Sequence, residues 1–157
     1  MTAWLFQGNP RHYTLDSYLR DQKQVTWHVN QSRYAADMQP GDQVFIWRSD
    51  GGTPGSGGVV ALGVLTSRAG EVQDDGLGTW FDSKPGPAVP SVGVLLKEVR
   101  LTEKEGFLSK RALLQDPTLR DLGVIRMPRA TNYQLSTEQA RRLSELWSGT
   151  RAPRAQY

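Results

Sequence analysis

The sequence predicts a single α+β domain built on a curved, mostly antiparallel sheet with helices packed against it, and three observations carry that expectation. The first hundred residues hold short runs of bulky apolar and β-branched side chains separated by Gly, Pro, Asn and Asp, which is the punctuation of strands. The last third carries helix-capping signals followed by apolar residues at helical spacing. Between them Gly57, Gly58, Ala61 and Gly63 recur in one apolar stretch, small enough for a tightly curved strand or for close approach of a ligand to the sheet.

Taken in order, Ala3 to Gln7 forms a first strand closed by Gly8-Asn9-Pro10. Thr14 caps a helix whose Leu15, Tyr18 and Leu19 share one face. Val25 to Val29 is a second strand, and the turn Met38-Gln39-Pro40-Gly41-Asp42 feeds a third from Gln43 to Arg48. The stretch Asp50 to Gly58 is too rich in glycine for a regular element. It returns the chain as a strand from Val59 to Thr66, making a hairpin. Gln73 to Ser91 is again loop-like, with Trp80-Phe81 in its middle read as a plug over the core. A long strand from Val92 to Leu101 follows. Ser109 opens a short helix over Lys110 to Leu114, stopped by Asp116-Pro117. Ser136-Thr137-Glu138-Gln139 is a capping box opening a helix whose Ala140, Leu143, Leu146 and Trp147 form an apolar stripe, so Trp147 is core. The domain is expected over residues 1–150, with 151–157 as a flexible tail.

Composition narrows the function classes. At 157 residues the chain can bury a core without staples, and with no cysteine it has neither disulfides nor thiolate-ligated metal. No apolar run is long enough to span a bilayer and no basic, apolar leader opens the chain, so a soluble, cytoplasmic monomer that does not engage a membrane is expected. The net charge of +3 is unevenly placed. From Arg120 onward seven arginines face three acids, while the rest of the chain is slightly acidic. Arginine's planar fork suits phosphates and base edges, although a well-solvated surface accounts for the bias equally well.

Two tryptophans stand beside polar residues in strand-like runs, Trp27 in Thr26-Trp27-His28-Val29-Asn30 and Trp47 in Phe45-Ile46-Trp47-Arg48-Ser49. Either both belong to the core, or they face one cleft and form a slot for a planar ring whose edge the neighbouring amides and hydroxyls can read. Catalysis finds little support. His12 opens a helix and His28 points away from Trp27 along an alternating strand, and neither has metal-ligand spacing. The glycine loop lacks the lysine of a phosphate-cradling motif, and no nucleophile elbow is present.

Several motifs together resemble the EVE domain. They are Trp4-Leu5-Phe6-Gln7-Gly8-Asn9-Pro10, Thr26-Trp27 with Val29-Asn30-Gln31, Pro40-Gly41-Asp42 with Val44 to Ser49, Gly58 with Ala61 and Gly63, and Pro128 with Ala130-Thr131-Asn132-Tyr133. The resemblance runs in order from about Ala3 to Trp147. It implies a PUA-like fold, a curved sheet or open barrel flanked by helices, related to the YTH domains. It implies a reader of a modified base, such as methylated cytosine or adenine, in DNA or RNA; the residues themselves point to no catalysis, cofactor or metal. Carried onto this chain, the resemblance assigns the base site to Trp27, Asn30, Trp47, Ser49, Thr131, Asn132 and Tyr133. Tyr133 stands where the family commonly has phenylalanine. Arg48, Arg126 and Arg129 are expected on flanking phosphates. Two other functions stay open: an accessory domain that binds a free nucleotide or small molecule, and a PUA-like amidohydrolase. The latter needs a lysine with carboxylates in its cavity, and the only close Lys–Asp pair near the strand of Trp27, Lys23 with Asp21, looks like a solvated helix end.

Overall fold

A computed structural model describes residues 2–82 and 84–150. The expected tail, 151–157, lies outside the described residues. Seven strands make one sheet: β1 (Ala3–Gly8), β2 (Gln24–His28), β3 (Gln43–Arg48), β4 (Gly58–Leu65), β5 (Ser91–Val99), β6 (Leu108–Ser109) and β7 (Asn132–Leu135). Five helices accompany it: α1 (Leu15–Asp21), α2 (Ser32–Ala35), α3 (Lys110–Leu114), α4 (Gly123–Arg126) and α5 (Thr137–Gly149). Strand order is β2-β5-β4-β3-β1-β7, with β6 added on β4. Every pairing is antiparallel except β1 with β3.

Alternation along β1 and β3 explains why their sequences read as continuous apolar runs. Trp4 and Phe6 with Val44 and Ile46 enter one core, against α1, while Leu5 with Phe45 and Trp47 enter a second core on the opposite face, against α3 and α5. Both faces of the central strands are therefore dry, the condition under which strands lose their polar alternation. Trp147 lies in the second core as expected. The buried Arg100 guanidinium lies 4.0 Å from its ring centroid and donates to its carbonyl oxygen at 2.6 Å.

The small residues of β4 serve backbone packing. A Cβ on Gly58, whose φ is +148°, would meet Leu108 O at 2.1 Å, and one on Gly63 would meet Leu95 O at 2.5 Å. Register shifts at Ile46/Trp47 and at Leu62/Gly63 accompany the curl of the sheet. The Pro-Gly-Asp turn has a structural function too: buried Asp42 accepts the Trp4 indole N–H and the Gln39 backbone N–H, each at 3.0 Å.

The curl brings the two edge strands together. Asn132, at the start of β7, donates from Nδ2 to His28 O at 3.1 Å and accepts the Asn30 backbone N–H at Oδ1 at 3.0 Å. One side chain thus joins β2 to β7, which share no ladder. The capping box on α5 forms as expected, and Ser109 caps α3. Thr14 differs from expectation: its side chain makes no cap bond and accepts Thr79 N at 2.8 Å instead. Helices α2 and α4 and strand β7 were not read from the sequence; at four residues each they show too little periodicity.

Candidate base-binding cleft

A cleft of about 730 Å³ opens where the parallel strands β1 and β3 end. Its first wall comes from the strand ends, through Gln7, Gly8, Thr26, Trp27, His28, Asn30 and Ser49. A strap between β4 and β5 contributes Asp74 and Trp80, and the turn before β7 contributes Arg129 and Thr131.

The strap is tied down by the residues around α1. Thr14 N donates to Thr79 O at 3.0 Å and Phe81 N to His12 O at 2.8 Å. The Tyr13 hydroxyl donates to Leu77 O, and the Tyr18 hydroxyl donates to Asp75 Oδ2 at 2.5 Å while accepting Thr26 N at 2.8 Å. Burial, reinforced by the acids of the strap, pushes both tyrosine hydroxyls well above their ordinary range, so they remain donors throughout the neutral range. Trp80 rests against Tyr13, ring centroids 4.7 Å apart, with the His28 ring 6.0 Å away edge-on.

The tryptophans lining the cleft are therefore Trp27 and Trp80, with Tyr13 and Tyr18 beside them, where the sequence suggested Trp27 with Trp47. Trp27 lies at the base of the cleft, 7 % exposed, stacked on Phe6 and anchored by its indole N–H on Gln7 O at 3.2 Å. Trp47 is excluded by strand alternation: it points to the opposite face of the sheet, among Leu5, Phe45, Leu108 and Leu113. The reading of Trp80-Phe81 as a plug divides in the same way. Trp80 lines the cleft, and Phe81 is 62 % exposed. His28 keeps the alternation expected along β2, with Val25 and Trp27 buried in the core and His28 on the other register, yet it also lines the cleft, beside Asp74 and Trp80.

Among the polar residues expected at the site, Asn30, Ser49 and Thr131 line the cleft. Asn30 Nδ2 donates to Thr131 Oγ1 at 2.6 Å, which leaves Asn30 Oδ1 without a protein partner among the described residues. The Ser49 hydroxyl oxygen is closed off from solvent and has no hydrogen-bond partner among the described residues. A buried, unspent hydroxyl carries a desolvation cost that a ligand's polar edge would relieve.

Asn132 and Tyr133 do not line the cleft; they build it. Asn132 is fully buried with both ends of its carboxamide committed to β2 and its continuation. Gln31 Oε1 completes this clamp by accepting Thr131 N at 3.1 Å and Asn132 N at 2.8 Å. The hydroxyl that distinguishes Tyr133 from phenylalanine donates to Met127 O at 2.5 Å and accepts Ala130 N at 3.1 Å, holding the turn at the rim.

The arginines separate likewise. Arg48 is buried and fully engaged: Nη1 meets both Asp16 oxygens, at 3.0 and 2.9 Å, Nε donates to Ser56 O, and Nη2 donates to Leu101 O. A guanidinium with its donors spent inside the protein has nothing to give a phosphate. Arg126 is exposed beside Asp121 at 3.8 Å and lies outside the lining. Arg129 lines the cleft together with Arg11, which the sequence reading passed over, and neither forms an ion pair among the described residues.

Two of the titratable groups lining the cleft, His28 and Asp74, lie against each other. His28 Nε2 lies 3.6 Å from Asp74 Oδ2, and Asp74 Oδ1 accepts Gly76 N at 3.1 Å. Burial lowers the His28 pKa, Asp74 opposes that shift and Lys84 adds to it. The cleft thus offers aromatic surface, the Asp50 and Asp74 carboxylates, the His12 and His28 imidazoles, an amide oxygen and a hydroxyl, with cations at Arg11 and Arg129. No lysine lines it, Asp21 and Lys23 being exposed elsewhere, and no group of acids, histidines or cysteines among the described residues could hold a metal ion.

The EVE domain family model matches residues 2–146. The chain belongs to the EVE domain family. Solved structures agree on the fold over nearly the whole chain. A hypothetical protein from Leishmania major superposes with a TM-score of 0.68 at 19 % identity, covering 95 % of this chain and 96 % of that one. A protein from Pseudomonas syringae gives 0.65 at 18 % identity, over 92 % and 99 %. Human THYN1, solved in complex with DNA containing 5-methylcytosine, gives 0.64 at 14 % identity, over 94 % and 98 %. No curated protein matches the sequence significantly. The curled, open sheet of this EVE domain is the PUA-like fold that the motifs implied. None of its helices among the described residues is long and apolar enough to cross a membrane.

Proposed function

We propose that this EVE domain is a nucleic-acid-binding module that holds a single modified base in the cleft between Trp27 and Trp80. The observation that carries the reading is the combination, in one cleft of about 730 Å³, of those two indoles with polar groups that the protein itself leaves unspent, Ser49 Oγ and Asn30 Oδ1. A base taken from its stack loses a few kcal/mol, which the pocket must return through aromatic contact and edge hydrogen bonds. Stacking on an aromatic side chain supplies about 1–3 kcal/mol per base. Burying one methyl group adds about 0.8 kcal/mol, enough to favour a methylated base several-fold.

Asp74 narrows the base. A carboxylate accepts from an exocyclic amine and repels a carbonyl, so the cleft suits cytosine or adenine over thymine, uracil or hypoxanthine. The complex of human THYN1 with 5-methylcytosine DNA supports cytosine as the first candidate. Arg11 and Arg129 are placed to meet the phosphates on either side of the captured nucleotide.

The test is a binding screen of short DNA and RNA oligonucleotides, each carrying one 5-methylcytosine, N6-methyladenine or plain base, at two salt concentrations. Preference for a methylated cytosine or adenine with a steep salt dependence is the expected result. Equal binding to free nucleosides, without salt dependence, would assign the cleft to a small-molecule function instead.

A further inference from the structure

The turn between α4 and β7 has a feature that base capture in the cleft leaves unused. Met127 is 74 % exposed, the most exposed large apolar side chain among the described residues, and Arg126 and Arg129 flank it in sequence. Pro128, Arg129 and Ala130, immediately behind it, line the cleft. Isolated exposed apolar side chains are ordinary on protein surfaces. This one is mounted on an unusually well-held turn. Met127 N donates to Gly123 O at 2.8 Å, the Tyr133 hydroxyl donates to Met127 O, and Gln7 Nε2 donates to both Pro128 O and Ala130 O at 2.8 Å. The backbone is braced from β1, β7 and α4, while its outermost side chain stands in solvent.

A base leaving a duplex opens a gap, and the two neighbouring base pairs lose their stacking contact across it. An apolar side chain entering the gap restores part of that contact and blocks the base's return, provided its backbone does not give way. Methionine is long, unbranched and polarisable, well suited to an irregular slot between bases. Cations on either side match a probe that enters between two phosphates.

We propose that Met127 is the wedge that enters the duplex stack in place of the base the cleft takes, with Arg129 on the adjacent phosphate. The proposal rests on the reading of the cleft as a base pocket and adds that the base comes from a duplex. Duplex DNA, rather than a single strand or a protein partner, is the committed occupant, because the positive flanks and the continuity with the cleft are shared by one ligand.

The experiment compares wild type, Met127→Ala and Leu114→Ala on two probes, each with one central 5-methylcytosine or one N6-methyladenine: a duplex and the corresponding single strand. Leu114, 43 % exposed on α3, is the control for loss of any surface apolar group. A 2-aminopurine beside the modified base reports unstacking. Met127→Ala is expected to weaken duplex binding about tenfold and reduce the 2-aminopurine response, while single-strand affinity changes by less than about twofold. Leu114→Ala should change neither. Equal loss on both probes, or none on either, overturns the wedge. Wild-type binding to the single strand but not the duplex overturns the wedge and leaves the base pocket standing, whereas failure of wild type on every probe overturns both.

Discussion

The Asn132 side chain accepts the backbone N–H of Asn30 at 3.0 Å, across 102 residues of sequence. Its amide nitrogen simultaneously reaches His28 O at 3.1 Å, so one buried carboxamide holds the end of β2 against β7. Removing it orphans two backbone groups on the segment that carries Thr26, Trp27, His28 and Asn30, all of which line the cleft. Asn132→Ala should therefore cost about 2–4 kcal/mol of stability, which for a domain of this size lowers the melting temperature by about 4–16 °C. Asn30→Ala removes an exposed side chain and should move the melting temperature by less than about 2 °C while weakening oligonucleotide binding. Thermal melts and binding isotherms on the two variants separate the roles.

How much of this was legible in the sequence follows from what each signal depends on. Strand, turn and capping signals are local, so β1, β3, the β3–β4 hairpin and the α5 capping box stand where their residues suggested. Facing is not local in the same way. Trp47 and Trp27 look equivalent as aromatic residues beside polar ones, and only the two-sided burial of β3 sends Trp47 to the other core. Arg48 reads as a phosphate contact until Asp16, Ser56 and Leu101, each from a different segment, close around it. The one cue to Trp80 was an aromatic pair set in a glycine-rich loop, a pattern shared by core plugs and site residues alike.

The exchange of Trp47 for Trp80 gives a direct comparison. Trp80→Ala removes a partly exposed ring from the cleft wall and should weaken oligonucleotide binding by about 5- to 150-fold, as expected for the loss of about 1–3 kcal/mol from a stacking partner. Trp47→Phe thins the second core without reaching the cleft, so it should lower the melting temperature and leave affinity within about twofold. Weakened binding in Trp47→Phe at temperatures where it is fully folded would return that residue to the site.

Among the arginines, salt dependence is the discriminating measurement. Each phosphate contact contributes about one unit to the slope of log affinity against log salt, so Arg129→Glu and Arg11→Glu should each flatten it by about one while preserving the preference for the modified base. Arg48→Ala should behave differently. It strips the Ser56 and Leu101 carbonyls of their donor and Asp16 of its partner, at a cost of about 3 kcal/mol in stability, softened because Asp16 is half exposed and can hydrate. For protein that remains folded, the salt slope should be unaltered.

His28 makes the domain sensitive to mild acid. Burial holds its pKa below the ordinary 6.5, Asp74 pulls the other way, and Lys84 adds to the lowering. A depressed histidine pKa means that the unfolded chain takes up its proton first, so the stability owed to neutral His28 is complete above pH 6.5 and is lost as pH falls toward the folded-state value. Asp116 and Glu105 carry carboxyls held below their ordinary range by hydrogen bonds from Arg142 and Arg20 in opposition to burial, and their stabilising effect fades only in stronger acid, below about pH 4. Melting temperature should fall as the pH drops below about 6.5 in the wild type and stay flatter over that interval in His28→Gln. Binding should weaken over the same interval, because a protonated His28 3.6 Å from Asp74 Oδ2 competes for the carboxylate assigned to the base's exocyclic amine. A wild type and a His28→Gln variant with the same pH dependence, in both melting and binding, would remove His28 from that role.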